Sequence, residues 1–134
     1  MTKLTQIKTL KVESQAKLHD GGIESVEQLL EVGASKAGRK MLATQCGLTE
    51  KEILGWVNRA DLQRISGVGQ EYADLLESAG VDSVLELAQR QPVNLHKRLT
   101  TLNLEHTLVR RLPTEAMVGS WITQAKLLGG KVIH

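Results

Sequence analysis

The chain carries one stretch twice. Gly22-Ile23-Glu24-Ser25-Val26-Glu27-Gln28-Leu29-Leu30 aligns with Gly80-Val81-Asp82-Ser83-Val84-Leu85-Glu86-Leu87-Ala88, 58 residues further on. Later, Ile53, Trp56, Val57 and Ala60 align with Val118, Trp121, Ile122 and Ala125 at a spacing of 65, so the second copy holds about seven extra residues between the two matches. Both of these sets follow i, i+3, i+4, i+7, the spacing of one helix face. A repeat of this length implies a duplicated unit and pseudo-symmetric packing. On this reading Ala16 takes the place of Ala73.

Within each copy the punctuation predicts short helices. Ser25-Val26-Glu27-Gln28, Ser83-Val84-Leu85-Glu86 and Thr49-Glu50-Lys51-Glu52 have the form of a capping box. The first copy reads as helices over residues 13–20, 25–32 and 36–45, with Gly21-Gly22 ending the first and Gly47 the third. Ser35 is the predicted N-cap of the third helix. Another helix runs from Thr49 to about Arg59, and a short one over residues 61–65 leads to Gly67. In the second copy, a helix after Gly69 stops near Gly80 and the next starts at Ser83. Pro92 suits a first helical turn, and that helix runs through Leu95, Leu99 and Leu102. A further short helix over residues 103–111 is expected, broken by Pro113, and Thr114 caps the last helix, which ends near Gly129-Gly130. The tail, residues 131–134, reads as frayed or as a small strand at most. No strand pattern occurs elsewhere. With two Trp, one Tyr and no Phe, the core must come from Leu, Val, Ile and Ala. Trp56 and Trp121 are expected to fill core between the two copies.

Ile65-Ser66-Gly67-Val68-Gly69 lies where one helix hands over to the next. It resembles the turn of a helix-hairpin-helix motif, in which two glycines flank an aliphatic residue. From about residue 10 to residue 128 the chain also resembles a bacterial family filed as domain of unknown function 4332. The match is carried by Gly33-Ala34-Ser35, Gly38-Arg39-Lys40, residues 56–62, Gly67-Val68-Gly69, Gly80-Val81, residues 86–90, residues 108–113 and Trp121-Ile122. The resemblance implies a helical, helix-hairpin-helix-like fold and no established activity.

The combined expectation is an all-α fold: two pseudo-symmetric helix-hairpin-helix-like units packed into one compact domain over residues 1–134. The first unit spans 4–62 with a degenerate hairpin, and the second spans 63–128 with the hairpin at Gly67-Val68-Gly69.

Several function classes find no support in the residues. His19, His96, His106 and His134 are scattered and Cys46 stands alone, so no pair has zinc-ligand spacing. No nucleophile–base pair and no Walker sequence is present. The expectation is therefore a non-catalytic module without cofactor or metal. One cysteine allows no intramolecular disulfide, residues 1–8 lack the apolar run of a signal peptide, and no segment approaches the length of a membrane span. A cytoplasmic protein without membrane contact is the default reading.

Binding remains. In helix-hairpin-helix proteins that bind DNA, the turn presents backbone amides at a helix N-terminus to a phosphate, where the helix dipole favours negative charge. By the resemblance, Gly67, Val68, Gly69 and Gln70 would do this here, with Arg64, Lys36, Arg39 and Lys40 adding positive charge around a DNA or RNA backbone. Such contacts carry no base sequence information. Two departures stand against it. Glu71 occupies the place where DNA-binding hairpins usually carry Lys or Arg, and the corresponding stretch of the first copy, Thr9-Leu10-Lys11-Val12-Glu13, lacks both glycines. The alternative is a protein-interaction or scaffolding module with purely structural hairpins. Residues 65–89 hold five acids and no Lys or Arg, whereas residues 90–111 hold Arg90, Lys97, Arg98, Arg110 and Arg111 against Glu105. That basic segment, and the one over residues 36–40, would suit an acidic protein partner.

Overall fold

Apolar stripes at helical spacing, punctuated by the cap candidates Ser25, Ser35, Thr49, Ser83 and Thr114, leave little room for strands. A computed structural model describes residues 2–134 and is all-α. Among these residues the sole β-type pairing is an isolated bridge between Lys3 and Ser25. Among the described residues no helix is long and apolar enough to cross a membrane. The chain forms two compact units, Met1–Asp61 with Lys131–His134, and Leu62–Gly130.

The first unit opens with a 3₁₀ turn, Leu4–Gln6, followed by α1 (Val12–Asp20), α2 (Val26–Gly33), α3 (Lys36–Cys46) and α4 (Glu50–Leu62). The caps explain the starts. Ser25 Oγ accepts from the Gln28 amide and Ser35 Oγ from the Gly38 amide. Of the three capping boxes only Thr49–Glu52 closes reciprocally. Thr49 Oγ1 accepts from the Glu52 amide at 3.1 Å, and the Glu52 carboxylate accepts from the Thr49 amide at 3.3 Å. The unit's core is aliphatic around Trp56: Leu4, Ile7, Leu18, Leu29, Leu42, Ile53 and Val57.

The second unit holds α5 (Gln70–Ser78), α6 (Val84–Ala88), α7 (Pro92–His106) and α8 (Glu115–Leu128). Ser83 and Thr114 cap α6 and α8 through the Glu86 and Met117 amides. Glu86 turns to Arg90 at 3.2 Å instead of back to its own cap, so the acidic and basic segments meet there. This core surrounds Trp121, with Ile65, Leu75, Leu76, Val84, Leu99 and Ile122.

Local backbone bonding recurs at the spacing of 58. The Gly22 amide donates to His19 and the Ile23 amide to Leu18; likewise Gly80 donates to Glu77 and Val81 to Leu76. Gly22 and Gly80 have φ of 91° and 86°. Ahead of α1, Ile7 donates to Leu4 and Leu10 to Ile7; ahead of α5, Ile65 donates to Leu62 and Val68 to Ile65. In this register Ala73, which is fully buried, corresponds to Gln15. Ala16 is exposed, so the expected match of Ala16 to Ala73 is one residue out.

Four other expectations are corrected. Residues 61–65 form no separate helix, because α4 continues to Leu62 and the chain then turns. Residues 103–111 are not a helix of their own: α7 continues to His106, Thr107 enters the left-handed region at φ 49°, and Asn103 Oδ1 accepts from the Val109 amide to hold the loop that follows. Each tryptophan fills the cluster of its own unit. The tail is not frayed. Val132 is buried in the first unit's cluster and the Ile133 amide donates to Ala34 at 2.8 Å.

Two tests follow from this packing. Trp56→Ala and Trp121→Ala each remove a buried ring and should cost about 3–5 kcal/mol in denaturant unfolding. A Cβ on Gly38 would lie 1.8 Å from the Val32 carbonyl oxygen. Gly38→Ala must therefore part α2 from α3 and should destabilise by about 1–3 kcal/mol, which the same titration measures; no loss would mean the α2–α3 corner can open without cost.

Candidate nucleic-acid interface

The segment from Leu62 to Gln70 is shaped by three aliphatic residues at i, i+3 spacing. Leu62, Ile65 and Val68 are all buried, and the two amide-to-carbonyl bonds among them measure 3.1 Å each. Spacing of three places side chains on one side of a 3₁₀-like path; Gln63 and Arg64 between the first two are half-buried, whereas Ser66 and Gly67 between the last two, and Gly69 after them, are exposed. Gly67 has φ 94°, a region costly to L side chains. A Cβ there would also sit 3.2 Å from Trp121 Nε1. The glycine is thus required both by its torsion and by the indole edge beneath it.

Side chains of the second unit brace this turn. The Gln124 amide on α8 reads both main-chain groups of Ser66. Its Oε1 accepts from the Ser66 N–H at 2.8 Å and its Nε2 donates to the Ser66 carbonyl at 3.2 Å. Tyr72, in the first turn of α5, packs on Trp121 with ring centroids 5.2 Å apart at 50°. Its hydroxyl donates to the Arg111 carbonyl at 2.9 Å. That bond ties the loop bearing Arg110 and Arg111, both exposed, to the start of α5. Gly69 is the N-cap of α5 and offers no side-chain acceptor, so no cap bond covers the first amides of this helix. Glu71 is exposed in that same turn.

The expected site residues do not all lie together. Gly67, Val68, Gly69 and Gln70 form one continuous turn, although the Val68 side chain is committed to the core. Arg64 stands beside the turn and donates from Nη1 to the Gly129 carbonyl at 3.3 Å. Lys36 and Lys40 are exposed on α3 of the first unit, whereas the glycine turn belongs to the second. Arg39 is a correction. It is 4% exposed, and its guanidinium donates to the carbonyls of Gly33, Ala34 and Ile133 at 2.8, 3.1 and 2.5 Å. A guanidinium held inside by three main-chain acceptors cannot meet an outside phosphate. Sequence reasoning places Arg110 and Arg111 against an acidic protein partner and misses their link, through Tyr72, to the start of α5. The available signal was the position of Tyr72 one turn into α5, a half-buried phenol in need of an acceptor.

The first unit leads into α1 by the same bonds, with Leu4, Ile7 and Leu10 buried and the N-cap, Lys11, again without a side-chain cap bond. Thr9 replaces Gly67 without adopting positive φ, and Lys8 and Lys11 replace Ser66 and Gly69. No group of three or more His, Cys, Asp or Glu side chains among the described residues is placed to hold a metal. Cys46 is buried, and burial followed by the nearby Asp20 charge pushes its thiol pKa up, so it is a protonated core residue at neutral pH.

The family model described as domain of unknown function (DUF4332) matches residues 8–128. The chain belongs to this family. No curated protein matches the chain, and no solved structure does. The matched range of the DUF4332 domain contains α1 through α8 entire and stops short of the docked tail.

Replacing Gly67 tests the turn directly. Gly67→Ala should lose about 1–3 kcal/mol, from the left-handed torsion and the tight approach to the indole. Thermal melts of parent and variant check it, with Gly69→Ala as the reference, because a Cβ at Gly69 meets nothing within 4 Å.

Proposed function

We propose that this protein is a non-catalytic binding module built from two helix-hairpin-helix-like units, and that it contacts nucleic-acid backbone without reading sequence. One observation carries the reading. In both units a turn of the same bonding delivers the chain to a helix whose first amides receive no side-chain cap, with basic residues beside it: Lys8 and Lys11 at α1, Arg64 and the Tyr72-tethered Arg110–Arg111 loop at α5. Amides and dipole at a helix N-terminus suit a phosphate oxygen, and the flanking cations supply the salt-dependent part of the affinity. On this reading the first hairpin is not the weaker one, because lysines replace what its turn lacks in glycine.

Glu71 opposes the contact at α5, and Glu13 holds the matching place at α1. Glu71→Lys exchanges a repelling charge for an attracting one. It should strengthen duplex binding and steepen the slope of log K against log salt by about 0.9, one phosphate's worth. Its effect on stability should stay within about 0.5 kcal/mol. Arg110→Ala with Arg111→Ala should weaken binding and flatten the slope. Fluorescence anisotropy with a short duplex, single-stranded DNA and RNA at several salt concentrations measures all of these. Unchanged affinity and slope in both variants would return the glycines to a purely structural role.

A second reading, a protein-interaction module, draws on Leu104 and Leu127, which are 82% and 83% exposed in the second unit. Absence of binding to all three nucleic acids at low salt would favour it.

A further inference from the structure

We infer that the first unit carries a groove for a short extended peptide, and that the chain's own C-terminal segment, Lys131–His134, is its resident and displaceable ligand. The groove and the hairpin turns share no residue, so this stands independently of the nucleic-acid reading.

The segment is held as a peptide ligand is held, by main chain at one residue and by side chains on either side of it. The Ile133 N–H donates to the Ala34 carbonyl at 2.8 Å, and the Ile133 carbonyl accepts from Arg39 Nη2 at 2.5 Å. The Ile133 side chain points away and is 63% exposed. One residue earlier, Val132 is 5% exposed and joins the cluster of Leu18, Leu29 and Leu42. One residue later, His134 Nε2 lies 2.9 Å from Asn58 Oδ1 on α4. Inward, outward and then polar contact is the alternation of an extended segment. Main-chain bonds provide affinity in such complexes and the alternate side chains provide selectivity.

The receiving groups stay organised without the tail. Arg39 is fixed by its bonds to the Gly33 and Ala34 carbonyls at 2.8 and 3.1 Å, which come from the end of α2. Ala34 and Asn58 sit at a helix end and within a helix, so neither depends on the tail for its place. Losing the segment would leave a buried guanidinium short of one acceptor and an apolar slot open to water, and both costs favour rebinding. The hinge is Gly129-Gly130, with φ 73° at Gly129. The groove therefore accepts an aliphatic residue, then a residue read only through its backbone, then a hydrogen-bonding side chain such as His. A partner peptide of that chemistry competes with the tail.

The test uses the full chain carrying Val132→Asp and His134→Ala, which releases the tail but leaves the groove. A labelled peptide Gly-Gly-Lys-Val-Ile-His is titrated by fluorescence anisotropy. The released variant should bind it at least about tenfold more tightly than the parent does, since the parent's own tail competes at high effective concentration. The same peptide with Asp in place of Val should bind neither protein. Equal binding to parent and variant, or no binding to a variant whose circular dichroism matches the parent, would overturn the inference. Native-state hydrogen exchange on the unmodified chain gives a second readout that needs no variant. The Ile133 amide should exchange through a local opening that leaves the Leu29 and Ile53 amides of the same unit protected. Exchange of all three only through global unfolding would make the tail an integral part of the core and the proposal false.

Discussion

The structure depends on the turns that lead the chain into α1 and α5. In each of them three aliphatic residues stand three apart: Leu4, Ile7 and Leu10, then Leu62, Ile65 and Val68. That spacing aligns side chains along one side of a tight turn, and all six are buried. Two backbone bonds close each turn among the same residues that bury their side chains. Apolar burial and hydrogen bonding thus act on one set of positions, while the two residues before the last aliphatic and the N-cap after it are left outside. Those outer positions vary with no change in the bonding: Lys8, Thr9 and Lys11 in one unit, Ser66, Gly67 and Gly69 in the other.

These two turns consequently differ in chemistry while sharing a frame. The second brings backbone close to the surface, since Gly67 and Gly69 have no side chain to cover their amides. It then needs bracing, which Gln124, Trp121 and Tyr72 supply. The first has lysine side chains in place of bare backbone. Glycine with an external clamp and lysine on a self-closing turn are two ways to place positive potential at a helix N-terminus.

Much of the fold was legible because its signals are local. Ser25, Ser35, Thr49, Ser83 and Thr114 all cap the helices their sequence positions announce, since a cap bond joins residues three apart. The Trp-bearing faces of α4 and α8 are buried as their spacing requires. Register errors arose where a local signal was ambiguous. Ala16 resembles Ala73 in type but not in position, because α1 presents Gln15 where α5 buries an alanine. The end of α7 was misplaced because Thr107, a β-branched residue, takes the left-handed C-cap usually left to Gly or Asn. The candidate site was legible as the turn itself and illegible in its surroundings: nothing in the spacing of Tyr72 and Arg111, 39 residues apart, announces their bond.

Arg39 shows why such partners escape a reading of sequence. On α3 it looks like one of three basic residues with Lys36 and Lys40. Yet α2 ends at Gly33 with Ala34 still in the right-handed helical region, so no left-handed residue turns the chain to satisfy the last carbonyls. Those carbonyls need a donor from elsewhere, and the guanidinium offers several in a fixed fork. Burying the charge carries a desolvation cost that two acceptors only partly offset. The third acceptor, the Ile133 carbonyl, lies 94 residues away along the chain. A defect at the end of one short helix is thus repaired by an arginine drawn from the surface. That buried arginine is in turn completed by a segment from the far end of the sequence, which links the ending of α2 to the docking of the tail.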